Sequence, residues 1–347
     1  GGYAFMSHHI GEMSDYATLQ SFKSGIDHFE RLFRAEPVLL VHDLHPDYLT
    51  TRYAQERASG DGIPIIEAQH HHAHVTACMA ENGLSGDKPV IGVCFDGTGY
   101  GPDGTIWGGE FLLADYRQFE RVAHFKPMPL PGGDTATRKP ARIAYAYLLA
   151  GDLLPADDLQ PVQFLSRTEL NIVRQQVIQG INTPRTSSVG RLFDAVASIL
   201  GICHETTYEG QAAIELEACV DSLETGTYTF PSEAETLDPE PLLEQIIADV
   251  RAGIPVGVIS ARFHNTLATI VTTVCRHIAD QTGIHDVVLS GGVFQNTTLL
   301  SAVVPRLEAA RLNVLTHRYV PPNDGGLALG QAMIGYMQWI QSEGQSS

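Results

Sequence analysis

Along the first hundred or so positions, apolar residues gather in short runs. They read PVLLVHD (37–43), IPIIEA (63–68), PVIGVCFDGTGYG (89–101) and IWGGEFLLAD (106–115). Runs of this length, bounded by Pro, Gly and Asp, predict buried strands. Between them the pattern changes to a helical period. In 15–35, Leu19, Phe22, Ile26, Phe29 and Phe33 recur at spacings of three and four and mark one face of a helix. The middle of the chain reads as helices joined by loops, at 137–151, 167–180, 188–202 and 209–220. The stretch 221–241 is acidic and non-periodic, which predicts a surface excursion or short hairpin.

A second alternation follows. Segment 254–283 reads as strand then helix, 285–312 as strand, Gly-Gly turn and helix, and 313–337 as strand, loop and helix. Alternating strands and helices predict an α/β fold with mixed, mostly parallel sheets flanked by helices. Ligands in such folds sit beyond the carboxyl ends of strands. The 347 residues suit two lobes better than one.

Composition narrows the function. A formal net charge of -18 disfavours a nucleic-acid partner, since phosphate backbones call for a basic face. Hydrophobic residues at 44% permit a sizeable core. The 5 cysteines form no C-x-x-C pair and predict reduced thiols in a cytoplasmic protein rather than a disulfide framework. No run of 18 apolar residues predicts a membrane span. The opening GGYAF, without an initiating Met, suggests a piece of a longer polypeptide.

The densest chemistry is QHHHAH at 69–74. On a helix, residues four apart share a face, about 40° apart at 3.6 residues per turn. His70 and His74 then point together, and so do His71 and His74, three apart; spacing alone does not choose. Two imidazoles on one face offer ligands to a divalent metal, whereas the plainer reading is a polar helix face. Asp324, in VPPNDGGLALG (320–330), is a candidate third ligand or the N-cap of the following helix. Asp96 precedes a glycine-dense turn beginning at Gly97, which suits a metal or a phosphate as well as a tight hairpin closed by PDG at 102–104. Gly291-Gly292 at the head of a helix can admit a nucleotide or simply allow close packing. Asp194 and Glu209 are candidate acceptors for ribose hydroxyls, although a solvated helix face explains Asp194 as well. Cys78, four residues beyond His74, reads as a buried inert thiol. No Ser-His-Asp or Cys-His nucleophile stands out.

Together, GGYAFMSHHIGEMSDYATLQSF, QHHHAH, CFDGTGYGPDGTIWGGEF, PLPGGDTATRKPAR, SVGRLFDAVA, EGQAAIELE, LSGGVFQN and PPNDGGLALGQA resemble the carboxyl-terminal domain of the HypF carbamoyltransferases of [NiFe]-hydrogenase maturation. The resemblance runs from about residue 1 to 340, in order. It implies an ASKHA (actin-like, hexokinase-like) fold related to the tRNA-modifying transferase TsaD. The lobes would span 1–125 and 126–347, the second with a helical insertion and a last helix returning to the first. It also selects His70, His74 and Asp324 as catalytic residues and as ligands of a divalent metal, iron or zinc, with Asp96 as a further ligand. Asp96, Gly97, Asp194, Glu209, Gly210, Gly291, Gly292 and Asn296 become the nucleotide-binding set. The implied reaction passes a carbamoyl group from carbamoyl-adenylate, made from ATP by a YrdC-like domain upstream, to the carboxyl-terminal cysteine of HypE, releasing AMP. His71 or His72 would orient the ligands or accept a proton. Transfer to tRNA or to a small hydroxylated acceptor are the alternatives, and neither a nucleic-acid nor a membrane partner is expected.

Overall fold

The structure is a computed structural model. It describes residues 3–345 apart from 12, 14, 155 and 232–234. Parts of the 1–22 motif and of the 221–241 stretch therefore lie outside the described residues.

Helix α1 (Tyr16–Phe33) carries the predicted apolar face and starts on Asp15, whose carboxylate accepts the Thr18 amide at 2.8 Å. Strand β1 (Leu40–Asp43), helix α2 (Leu49–Asp61) and strand β2 (Ile65–Ala68) follow, and β1 pairs with β2 in parallel as a separate two-stranded sheet. Helix α3 (His70–Glu81) comes directly after β2. Its N-cap is Gln69, whose side chain accepts the His72 amide at 2.8 Å. Every residue from His70 to Met79 is buried. A helix buried all round, unlike an amphipathic one, needs cover on every side.

That cover is the main sheet on one side and the last helix, Leu327–Gln345, on the other. The sheet contains β3 (Val90–Tyr100), β4 (Ile106–Ala114), β5 (Phe119–Phe125), β6 (Met128–Pro129), β7 (Arg185–Thr186), β8 (Thr236–Leu237), β9 (Asp286–Ser290) and β10 (Asn313–Leu315). Its main path runs β10-β9-β3-β4-β5-β8. The pairs β10–β9, β9–β3 and β5–β8 are parallel; β3, β4 and β5 form an antiparallel meander. The sheet is mixed, with short antiparallel connections at its centre. Helices Pro140–Ala150, Val189–Ile199 and Val256–Thr282 cover its other face around one large apolar core that includes Phe95, Phe111, Phe193 and Phe263.

Three local expectations change. Residues 254–258 form no strand; Pro255 caps the helix Val256–Thr282, which 256–258 open. An apolar run reads the same in a buried helix as in a strand, and Pro255 suits a helix start. Strand β3 continues through Asp96 to Tyr100, with a register irregularity between Phe95 and Gly99. Gly291-Gly292 leads first into a 3-10 turn, Gly292–Gln295, and only then into the helix Thr297–Ala309, capped by Asn296. Among the described residues no helix is long and apolar enough to cross a membrane.

The last helix approaches α3 so closely that a Cβ on Gly330 would stand 1.8 Å from the Ala73 carbonyl oxygen. Gly330→Ala is expected to destabilise the chain by about 2–3 kcal/mol, against the gain of roughly 1 kcal/mol that Gly→Ala gives in an open helix. Urea unfolding checks the sign.

Candidate metal and nucleotide site

Four side chains from three segments converge. His70 and His74 come from the first turns of α3, Asp96 from the irregular part of β3, and Asp324 from the 3-10 turn Asp324–Gly326. One ligand atom of each lies within 4.8 Å of the others. His70 Nε2 stands 3.4 Å from Asp96 Oδ2 and 3.5 Å from Asp324 Oδ1; His74 Nε2 stands 3.7 and 3.4 Å from the same two atoms. Both Nε2 atoms are buried and, among the described residues, have no hydrogen-bond partner. The histidine pair is therefore i, i+4, and His71 turns elsewhere.

His70 and Asp96 are held from behind, and the Asp324 turn is capped. His70 Nδ1 bonds Asp43 Oδ2 at 2.8 Å, while Asp43 Oδ1 accepts the His45 amide at 2.8 Å. This bond directs His70 Nε2 at the cluster. Asp96 Oδ1 accepts the Gly292 amide at 3.0 Å, which leaves Oδ2 for the histidines. Asn323 caps the Asp324 turn by accepting the Gly325 amide at 3.0 Å. Gly291 donates to the Pro322 carbonyl at 3.0 Å, so the Gly-Gly turn and the Asp324 loop are tied directly. A Cβ on Gly291 would sit 2.2 Å from the Phe95 carbonyl oxygen, at a φ of 96°. Glycine is needed there for close approach of β9 to β3.

The electrostatics are those of buried acids sharing two imidazoles. Burial opposes charge on His70, but the facing carboxylates of Asp324, Asp43 and Asp96 outweigh it and raise the ring's proton affinity well above the usual imidazole range. His74 is raised in the same way, against burial, by Asp324 and Asp96. Burial likewise opposes charge on Asp96, yet the two histidines hold its carboxyl well below the ordinary range. Two unpartnered imidazole nitrogens facing two carboxylate oxygens fit a divalent cation of intermediate softness.

The other expected residues belong to several elements. Gly97 follows Asp96, and the carbonyls of both accept from Ser188 Oγ, at 2.8 and 2.6 Å. Asp194 is buried rather than on a solvated face; burial pushes its carboxyl up to about 6 against the pull of Arg191, 3.0 Å away. Asn296 uses both ends of its amide: Oδ1 accepts the Leu299 amide at 2.7 Å and Nδ2 meets His264 Nε2 at 2.9 Å. Glu209 is exposed, and Gly210, at φ 75°, is the N-cap of helix Gln211–Ala218. That helix reaches the Gly-Gly element through Glu217, which accepts from Thr297 Oγ1 and the Thr298 amide, both at 2.8 Å.

Residues 92–331 match the family described as "Carbamoyltransferase, Kae1-like Domain, second subdomain", and residues 1–81 match "HypF Kae1-like domain". The chain belongs to the HypF family. It is 42% identical to carbamoyltransferase HypF of Rhodobacter capsulatus, with 96% of this chain and 44% of that protein covered. It is 36% identical to a carbamoyltransferase HypF homolog of Cupriavidus necator, with 94% and 85% covered. A crystal structure of full-length HypF in its phosphate- and nucleotide-bound form superposes with a TM-score of 0.87 at 41% identity, covering 94% of this chain and 51% of that one. The chain thus spans about half the length of that crystallised protein and of the Rhodobacter relative.

Within this HypF domain, the roles expected of His71 and His72 change. His72 Nε2 bonds the Asp115 carbonyl at 2.6 Å and pins α3 to the end of β4. Gln69 Nε2 donates to His71 Nδ1 at 3.2 Å, which puts the ring proton on Nε2 and makes His71 a donor there. The orienting group is Asp43, which sequence reasoning missed. The one available signal was an acid closing a predicted strand.

Two outcomes follow for this centre. Asp43→Asn is expected to weaken zinc binding about 10–100-fold, read by competition titration against a chromophoric chelator. Because the metal-free histidines hold protons above the usual imidazole range, metal uptake must release them. Apparent zinc affinity is then expected to fall as pH drops through neutrality, with up to two protons released per ion, measured by calorimetry in buffers of different ionisation enthalpy.

Proposed function

We propose that this chain carries out carbamoyl transfer from carbamoyl-adenylate to a protein thiol, the carboxyl-terminal cysteine of HypE, in hydrogenase maturation. The observation that carries the reading is the pair of unpartnered Nε2 atoms on His70 and His74 facing Asp96 and Asp324, in a chain of the HypF family. His70, His74 and Asp324, with Asp96, would hold a divalent iron or zinc ion. When bound, that ion supplies Lewis acidity toward phosphate or carbonyl oxygen.

The chain's own residues do the rest. Asp43 keeps His70 Nε2 inward, and the Gly292 amide keeps one oxygen of Asp96 engaged. Gly97, Gly291, Gly292 and Asn296 would flank the nucleotide, the glycines allowing its phosphate near backbone amides. Asp194, Glu209 and Gly210 would lie toward the ribose and base. The nucleotide-bound form of the crystallised HypF supports placing a nucleotide on this domain.

The nucleophile comes from the partner. Burial keeps Cys94 and Cys275 protonated and pushes the Cys203 thiol up to about 11. None of these three is an activated thiolate. The incoming thiolate attacks the carbamoyl carbon, the new C–S bond replaces the C–O bond to phosphate, and AMP leaves with the electron pair. The carbamoyl-adenylate would come from a YrdC-like domain in a full-length relative.

His74→Ala is expected to lower single-turnover transfer from supplied carbamoyl-adenylate to HypE by on the order of 10²-fold or more, with loss of one bound metal. An unchanged rate and metal content would reject the assignment.

A further inference from the structure

A second group of donors lies one turn further along α3. Cys78 and Glu81, three apart on one helix face, meet His317 from the loop after β10. One ligand atom of each lies within 4.8 Å of the others. Cys78 is fully buried, and the Glu81 and His317 side chains are only 3% and 5% exposed.

These atoms face one another across a buried ion pair. Glu81 Oε2 accepts the backbone amides of Arg318 at 3.0 Å, Tyr319 at 2.8 Å and Val320 at 3.4 Å. Glu81 Oε1 and His317 Nδ1 stand 2.5 Å apart, yet neither has a hydrogen-bond partner among the described residues. On the far side of the ring, His317 Nε2 lies 2.8 Å from Ser290 Oγ, and that hydroxyl donates its one proton to the His74 carbonyl at 2.9 Å. Nε2 therefore carries one imidazole proton, and Nδ1 meets the carboxylate through a second proton or through a cation that takes its place. A buried carboxylate and ring nitrogen so close call for a positive charge between them, a proton or a cation. The Cys78 sulfur supplies a third, softer donor. The loop is already fixed against the helix end, because Asn82 Nδ2 bonds both Cys78 Sγ at 3.5 Å and the Thr316 carbonyl at 3.1 Å.

We propose that Cys78, Glu81 and His317 form a second metal site, for a thiophilic divalent cation of the zinc class. On binding, the S–H bond breaks, the proton goes to solvent and a thiolate–metal bond forms. Thiolate and carboxylate neutralise the two charges of the ion, and water completes the tetrahedron. The site clamps the 316–320 loop to α3, and that loop leads into Pro322 and Asp324. It thereby fixes the one residue of the first cluster that is two-thirds exposed. This site contains sulfur and the His70–His74 centre does not, so the two are distinguishable whatever reaction the first supports.

Cobalt(II) tests this directly. Chain stripped with chelator and titrated with cobalt is expected to take up two equivalents, one of which develops a thiolate-to-cobalt charge-transfer band in the near ultraviolet. The band should persist in His74→Ala and in Cys219→Ser, which removes the exposed thiol. It should vanish in Cys78→Ser. Glu81→Gln, checked for folding by circular dichroism, should lose one zinc equivalent. Wild-type chain without a sulfur charge-transfer band at saturating cobalt would overturn the proposal and leave a proton-bridged Glu81–His317 pair. A band that survives Cys78→Ser would overturn it too.

Discussion

The Asp96 carboxylate bonds a backbone amide through one oxygen and turns the other toward two imidazoles, and the candidate site depends on this division. The amide belongs to Gly292, just past β9, and the imidazoles to α3. One side chain thus sets the distance between the glycine turn and the histidine helix. Its own position comes from an irregularity in β3, since an interrupted ladder re-aims a side chain that a regular strand would direct elsewhere. Ser188 holds that irregularity by its hydroxyl on the Asp96 and Gly97 carbonyls and also caps its own helix through the Arg191 amide at 3.1 Å. Gly108 and Gly190 make room: a Cβ on either would crowd the backbone of Asp96 or Gly97 at 2.6 or 2.9 Å.

Burying His70 and His74 almost completely would be costly for isolated charged rings, on the order of several kcal/mol each. Here Asp43, Asp96 and Asp324 supply compensating negative charge. With both rings neutral, three acids would face one another with too little positive charge nearby. The centre therefore has to take up cations, as protons on the imidazoles or as a metal in their place. The same competition that raises the histidines' proton affinity makes metal occupancy depend on pH.

Helix α3 sits between two such demands. Its first turns face Asp96 and Asp324, and its last turn faces His317 through Cys78 and Glu81. Ser290 touches both ends of this arrangement through the His74 carbonyl and the His317 ring. A helix this enclosed cannot shift one residue without disturbing the sheet, the last helix or the 316–320 loop, so the donors at its two ends keep a fixed separation.

Much of this was legible in the sequence. The apolar runs located β1–β4, β9 and β10, and the i, i+4 geometry of a helix made His70 and His74 one of two candidate pairs. These are local properties, fixed by backbone periodicity and by which residues are apolar. The sequence did not reveal that 256–258 is helical, because a buried apolar run has no period that separates helix from strand. It did not identify Asp43 as the group orienting His70, nor separate the roles of His71 and His72. Those depend on which carbonyl or carboxylate lies across a gap of 27 or 43 positions. Nor did it show that Cys78, taken alone as an inert thiol, has an acid and an imidazole beside it. Local pattern decided which elements form; only packing decided which donors meet, because a hydrogen bond or a metal ligand acts over a few ångströms whatever the distance along the chain.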